Sequence, residues 1–319
     1  SAIISAGDDS ATITEYLHDS RKVFLNRTIS GLYAPGSIVK PFVAIAALNE
    51  AIIDPLKQIL STGSIAIPNP YAPGKETVFR DWKAHGWVDM RRAIAVSSDV
   101  YFYEIGGGFK EQKGLGVDAI GEYMRRFGIS EKTGIDLPGE VAGTIPSPAW
   151  KEKNFPGDQW RIGNTYHTAI GQYGFQVTPI QMVRATAAIA NYGMLVRPHL
   201  VVGAAESADT VTLDIPKTYF DIVHEGMRQA VTGGGTAAAL NISAVKIAGK
   251  TGTAQIGAHN EYMNSWVSGF FPYDDPEYAF VIMMERAPAG TPVGASYVGL
   301  QLFQWMAANT PEYLEDTGI

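Results

Sequence analysis

Tyr33-Ala-Pro-Gly-Ser-Ile-Val-Lys40, YAPGSIVK, carries a turn signal, a serine and, three residues on, a lysine. From Ser37 the chain runs on into a long apolar segment, SIVKPFVAIAALNEAII. Pro41 falls in the first turn of the expected helix, where an absent N–H is tolerated because those groups have no intrahelical partner. Ala44, Ala47 and Leu48 continue one face at helical spacing. On a helix, positions i and i+3 share a face, so Lys40 can reach back to the Ser37 hydroxyl. The same pattern recurs at Ser243-Ala-Val-Lys246. That copy leads into a strand-like run, where i and i+3 point to opposite faces, and is set aside. A serine at a helix start also places an acyl intermediate's oxyanion beside free backbone N–H groups and the positive end of the dipole. A lysine made neutral by burial or by a neighbouring cation can take the hydroxyl proton. Alone, the pattern favours an ordinary helix cap with a surface lysine.

The rest of the chain bounds the choices. With 319 residues, 46% of them hydrophobic, it can bury a sizeable core in one large domain or two lobes. A net charge of −7 and a pI near 5.4 argue against nucleic acid as a partner. The adjacent basic pairs Arg21-Lys22, Arg91-Arg92 and Arg125-Arg126 read as solvated helix faces. Absence of cysteine excludes a disulfide framework, a thiolate metal site and a cysteine nucleophile. No apolar run approaches the roughly 20 residues of a membrane helix, and no secretory signal opens the chain.

Along the chain, Asp8-Asp9-Ser10 is a candidate helix cap, and 54–81 reads as a Gly/Pro-rich loop with short strands. Residues 89–105 and 117–127 read as helices, the second amphipathic. In VTPIQMVRATAAIANYG, Thr178 is the N-cap, Pro179 sits at N1 and Gln181 completes a capping box, with Ile180, Val183 and Ala187 on one face. A helix at about 217–231 stops at Gly233-Gly234-Gly235. Three strand-like runs come next, AVKIAGKTGTAQI, SWVSGFFPY and YAFVIMMERA, and then a last helix, ASYVGLQLFQWMAAN. Late strands and central helices imply an α+β fold, an antiparallel sheet flanked by helices with an adjoining helical lobe.

Two further motifs join the first. Ser97-Ser98-Asp99 precedes an aromatic helical run, VYFYEIG, and Lys250-Thr251-Gly252-Thr253 lies inside a strand. A glycine in mid-strand marks close approach by another backbone or a ligand. A second lysine can depress the pKa of Lys40 and attract a substrate carboxylate, and a strand edge offers groups to an extended peptide. Singly, these are a cap and a turn. In this order, on helix start, loop and strand, they are an established signature of penicillin-binding proteins and class A β-lactamases.

The sequence resembles the transpeptidase domain of a class B penicillin-binding protein, of the elongation type that works on the lateral wall. LNRTISGLYAPGSIVKPF resembles that type's approach to its nucleophile, and FRDWK its segment before the second motif. IGQYGFQVTPIQMVRATAAIANYGMLVRPHL, GGGTA and AGKTGTAQ are similar to the family's second half. The resemblance implies one transpeptidase domain over 1–319, with an α/β lobe at about 1–50 and 240–319 and a mainly helical lobe at about 51–239. It also implies that the chain starts after the hairpin that opens such domains, so that the sheet lacks its first strands.

By the same resemblance Ser37 attacks the bond between the terminal D-alanines of a peptidoglycan stem peptide, with Lys40 as base. Ser97 relays protons between Lys40, Lys250 and the leaving amine, and Asp99 completes the catalytic set. Ser98, Thr251, Gly252 and Thr253 bind substrate, and the backbone N–H groups of Ser37 and Thr253 form the oxyanion hole. An amine of a neighbouring stem resolves the acyl-enzyme, and a β-lactam acylates Ser37 and stays attached. The implied partners are stem peptides, β-lactams and a membrane glycosyltransferase of the elongation machinery. The implied location is the extracytoplasmic face of the bacterial inner membrane.

Asp99 stands where most of the superfamily has asparagine, and an ionised carboxylate only accepts hydrogen bonds. Some elongation-type members hold a metal near this motif. Here Asp81 and His85 are present, but the residue between Ser97 and Asp99 is Ser98, a poor ligand, so neither metal nor cofactor is expected. His18, His167, His199, His224 and His259 form no spaced metal motif. The alternatives are a β-lactamase or D,D-carboxypeptidase, with Glu140, Glu152 or Glu261 driving deacylation, and a β-lactam sensor or inactive scaffold.

Overall fold

The computed structural model describes residues 10–201, 210–257 and 259–314. Helices α1 (Ser10–His18) and α2 (Arg27–Ser30) lead to a 3-10 turn, Gly36–Val39, which runs directly into α3 (Lys40–Asn49). Four short strands come after it, β1 (Ile59–Ser61), β2 (Ser64–Pro68), β3 (Glu76–Arg80) and β4 (Gly86–Val88). They pair antiparallel as β1 with β4 and β2 with β3. Next come α4 (Met90–Val96), α5 (Asp99–Gly107), α6 (Gly116–Arg126), α7 (Pro148–Asn154), α8 (Ile162–Ala169) and α9 (Pro179–Ala190). The antiparallel pair β5 (Met194–Val196) and β6 (Thr210–Thr212) precedes α10 (Lys217–Thr232). The main sheet, β7 (Ala248–Ile256), β8 (Tyr262–Phe271) and β9 (Tyr278–Pro288), is closed off by α11 (Ala295–Asn309).

The main sheet is antiparallel in the order β7-β8-β9, with register Lys250 to Ser268 and Trp266 to Met283. Alternation along β8 sends Trp266 and Phe270 into the larger core and Val267 and Phe271 into a second cluster with Phe303 of α11. Both faces of β8 are covered, so the strand is buried continuously from Asn264 to Phe271 instead of alternating. Helix α3 is buried all round from Lys40 to Leu48, the condition of a helix at the centre of a core. Lys40 therefore enters the interior as the first residue of the most buried helix, not as a surface lysine.

Local chemistry accounts for most boundaries. Thr178 Oγ1 accepts from Gln181 N while Thr178 N donates to Gln181 Oε1 at 3.2 Å, the expected capping box. Helix α9 is buried more widely than a single face, with Met182, Ala185 and Ile189 inside and Val183 and Ala187 only partly covered. The helix expected over 89–105 is two helices, because Ser97 is left-handed at φ +57 and caps α4, while Ser98 caps α5. The sequence reading placed no helix at 148–169, where α7 and α8 stand. Ser147 Oγ accepting from Trp150 N, with Pro148 next to it, was the available signal. The second Ser-x-x-Lys lies in a bend just before β7 rather than in the strand. Of the expected cap at Asp8-Asp9-Ser10, the two aspartates lie outside the described residues.

Candidate active site

Ser37 is the second residue of the 3-10 turn and faces a cleft of about 1080 Å³. The turn is pinned from several sides. Tyr33 N donates to Val177 O at 3.0 Å and Val177 N to Tyr33 O at 2.9 Å, and Gly36 N donates to Gly171 O at 3.0 Å. From β8, Trp266 Nε1 donates to Ala34 O at 3.0 Å. Gly36 has φ +56, and a Cβ on it would stand 2.6 Å from Thr253 O. A Cβ on Gly252 would stand 2.8 Å from Pro35 O. Both obstacles are backbone atoms, so these two glycines let β7 lie directly against the nucleophile turn.

Lys40 is wholly buried, and its ammonium has three donors to place. Its Nζ donates to Ser97 O at 2.8 Å, to Ser97 Oγ at 3.2 Å and to Asp99 Oδ1 at 2.6 Å. The expected direct bond to Ser37 is therefore not made, and the Ser37 hydroxyl has no hydrogen bond among the described residues. Lys250 is also wholly buried, and its Nζ donates to Ser97 Oγ and to Thr251 O, both at 2.8 Å. Burial first, and the Lys40 charge second, push the Lys250 ammonium well below the ordinary lysine range, while Asp99 pulls it upward. One hydroxyl thus bridges two buried lysines, of which Lys40 pairs with Asp99. Ser97 Oγ stands within hydrogen-bond reach of both ammoniums, at 3.2 Å from Lys40 Nζ and 2.8 Å from Lys250 Nζ.

The break between α4 and α5 places these groups. Left-handed Ser97 turns its hydroxyl to both lysines, at a conformational cost of about 1–2 kcal/mol for a residue with a Cβ. Asp99 opens α5, where the helix dipole favours its charge. Ser98 is wholly buried and committed to local bonds, accepting from Tyr101 N and donating to Asp81 Oδ2 at 2.9 Å. Unlike Thr251, Gly252 and Thr253 of the expected substrate-binding set, it does not line the cleft.

Along β7, Thr251, Gly252 and Thr253 line the cleft, and the strand's outer edge is unpaired among the described residues. Thr251 Oγ1 donates to Thr236 Oγ1 at 2.6 Å, and Gln172 Nε2 donates to Thr253 O at 3.3 Å. Thr236 and Gln172, with Trp82, Tyr103, His167 and Tyr173 on the facing wall, are site residues that motif reading did not single out. The available signals were GGGTA and IGQYG, quoted for resemblance alone. Burial lowers the His167 pKa, against an upward pull from Asp99.

Asp81, His85 and Ser98 do come together, but not as metal ligands. Both Asp81 oxygens already accept protein donors, Trp82 N and His85 Nε2 on Oδ1, Ser98 Oγ and Val100 N on Oδ2. A carboxylate, an imidazole and a hydroxyl make a poor donor set, and no group of three metal-binding side chains occurs among the described residues. The glutamates weighed for a hydrolase lie elsewhere. Glu140 accepts from Thr133 and Gly134, Glu152 from Gly157 N and Glu261 from His259 N, and none lines the cleft.

The geometry agrees with the comparisons to known proteins. The peptidoglycan D,D-transpeptidase MrdA of Acinetobacter baumannii is 36% identical over 289 residues, covering 83% of this chain and 41% of that protein. MrdA of Escherichia coli K12 is 32% identical over 314 residues, covering 90% and 48%. The chain spans about half the length of the curated relatives it matches. Pseudomonas aeruginosa PBP2, solved in complex with WCK 5153, has a TM-score of 0.81 at 32% identity, over 97% of this chain and 68% of that one. Helicobacter pylori PBP2, solved in a complex with MreC, has a TM-score of 0.77 at 31% identity, over 94% and 54%. The sequence profile of the penicillin-binding protein transpeptidase domain matches residues 4–299, nearly the whole chain. On these findings the chain belongs to the penicillin-binding protein transpeptidase family.

Proposed function

We propose that this chain is the catalytic domain of an elongation-type peptidoglycan D,D-transpeptidase, a serine acyltransferase that β-lactams inactivate. The observation that carries the reading is the buried chain Lys40, Ser97 Oγ, Lys250, with Asp99 on Lys40 and Ser37 at the mouth. Lys40, in its neutral form, accepts the proton of Ser37 Oγ as that oxygen attacks the D-Ala-D-Ala carbonyl, and Ser97 links it to Lys250 for proton relay. The new Oγ–C bond forms, the C–N bond breaks, and the terminal D-alanine leaves after its amine takes a proton through Ser97. The backbone N–H groups of Ser37 and Thr253 hold the oxyanion, a contribution of about 3 kcal/mol per donor.

Thr251 and Thr253, which line the cleft, receive the substrate carboxylate, with the peptide extended along β7. A neighbouring stem's amine then attacks the ester, the cross-link amide forms, and Ser37 regains its proton. The two-lobed arrangement, about 1–50 with 240–319 against 51–239, belongs to this reading. So do the extracytoplasmic face of the inner membrane and a membrane glycosyltransferase partner. Helicobacter pylori PBP2 was solved in a complex with MreC, which supports assembly with a partner protein.

The test is intact-mass analysis with a β-lactam over time, beside Ser37→Ala, and then cross-linking of a stem-peptide donor to an amine acceptor. A stable adduct on the wild type that Ser37→Ala lacks, with cross-linked product, is expected. An adduct that forms equally on Ser37→Ala, or steady turnover of the drug, would overturn the reading.

A further inference from the structure

A second buried carboxylate stands behind the reacting groups, and acyl transfer as described leaves it without a task. Asp81 lies just past β3, and its side chain is fully withdrawn from solvent. Its Oδ1 accepts from Trp82 N at 2.8 Å and His85 Nε2 at 3.3 Å. Its Oδ2 accepts from Ser98 Oγ at 2.9 Å, Val100 N at 3.0 Å and Ser61 Oγ at 3.2 Å. A buried carboxylate this heavily bonded joins β1, the segment after β3, and the start of α5.

Two of those bonds bracket the chemistry. Ser98 and Val100 are the neighbours on either side of Asp99, the carboxylate that pairs with Lys40 at 2.6 Å. Trp82, whose backbone N–H rests on Asp81, donates its indole Nε1 to Ser97 O at 3.3 Å. That carbonyl is the one that takes Lys40 Nζ. Ser97 is left-handed, an arrangement a residue with a Cβ keeps only when its surroundings hold it. Residues on both sides of the active-site break are thus tied to one carboxylate.

We propose that Asp81 is a positioning residue for acyl transfer: through Ser98, Val100 and Trp82 it holds Ser97 and Asp99 in register with Lys40. This rests on the transpeptidase reading above. Hydrogen bonds alone, without a metal, do the holding. Asn cannot replace it, because each carboxylate oxygen receives one backbone N–H, from Trp82 and from Val100. Whichever way an amide is turned, one of those N–H groups faces an NH2 and loses its acceptor.

The experiment measures β-lactam acylation of wild type, Asp81→Asn and Ser61→Ala, separating the pre-covalent dissociation constant from the acylation rate constant. Final adduct stoichiometry counts the folded, competent fraction. Asp81→Asn is expected to lower the acylation rate constant about tenfold or more, with the dissociation constant changed by less than about threefold. Ser61→Ala, which leaves the carboxylate its other four donors, is expected to slow acylation a few-fold and to fold normally. Prior treatment with EDTA is expected to leave the wild-type rate unchanged.

A purely structural role predicts fewer competent molecules that acylate at the wild-type rate, and that result would overturn the proposal. So would a wild-type rate that depends on added or removed metal, or an Asp81→Asn that folds poorly beside a Ser61→Ala of wild-type rate. A wild-type chain that no β-lactam acylates would sink the transpeptidase reading itself, and this proposal with it. Wild-type acylation with equal rates in both variants would sink this proposal alone.

Discussion

Lys40 and Lys246 each stand three residues after a serine, yet the first is fully buried against Ser97 and Asp99 while the second is exposed and pairs with Asp274 at 2.5 Å. The difference begins in the segment downstream of each copy. Ser37 leads into a helix that the core buries on all sides, so the lysine that opens it has to satisfy three donors indoors. Ser243 lies in a bend before β7, where a lysine side chain reaches water at little cost. A four-residue pattern therefore acquires chemistry only where the fold removes water and supplies fixed partners.

The comparison breaks most readily at Lys40. Lys40→Met keeps much of the volume and removes the proposed base together with the cation facing Asp99. Acylation by a β-lactam is expected to fall about 10²- to 10⁴-fold, read as the second-order rate of adduct formation. Retention of more than a tenth of the wild-type rate would move the base elsewhere, and Lys250 would be the next residue to vary.

A smaller effect is expected where β7 meets the nucleophile turn. Gly252→Ala puts a methyl 2.8 Å from Pro35 O, an obstacle that cannot rotate away. The strand and turn must separate, at a cost of about 1–3 kcal/mol in unfolding free energy by denaturant titration. Acylation should slow as well, because the turn carries Ser37. Unchanged stability with unchanged acylation would show that the contact yields without cost.

How far the sequence could be read obeys the same division. The expected residues Ser37, Lys40, Ser97, Asp99 and Lys250 each sit in a contiguous motif, and the structure joins Lys40, Ser97, Asp99 and Lys250 by hydrogen bonds. The α+β class was legible from the late apolar strands and from the capping box at Thr178. Asp81 was weighed only as a metal ligand, since its five donors come from three separated stretches of chain and no spacing records them. Gln172, Tyr173 and Thr236 stayed hidden for the same reason, reaching the cleft through tertiary packing. The split at Ser97 was missed because helical periodicity on both sides outweighed one left-handed residue.

Glu104 sharpens the comparison by separating burial from partnership. It sits on α5 beside a second cavity, and burial raises its carboxyl from 4.5 to about 7, against weaker opposing pulls from Lys110 and Lys57. A carboxyl raised on folding binds more protons folded than unfolded between pH 4.5 and 7, so stability falls as pH rises through that window. Glu104→Gln is expected to be more stable than wild type by about 1–2 kcal/mol at pH 8, after allowance for partial solvent screening. The gain should vanish at pH 4, where the wild-type carboxyl is protonated in both states. A gain that does not vary with pH would place its origin in packing instead.

The smallest effect belongs to the other half of the pair. Lys246 and Asp274 keep 62% and 53% of their side-chain surface exposed, so water and salt screen their attraction. Such a pair contributes between about 0 and 1 kcal/mol, and Lys246→Ala should shift the melting temperature by only a few degrees at most. Its acylation rate should match wild type within about twofold, whereas Lys40→Met loses orders of magnitude. If Lys246→Ala slowed acylation as much as Gly252→Ala does, the lysine before β7 would have to act on the Lys250 strand through the bend. Sequence pattern, rather than burial, would then be the better guide to which lysine matters.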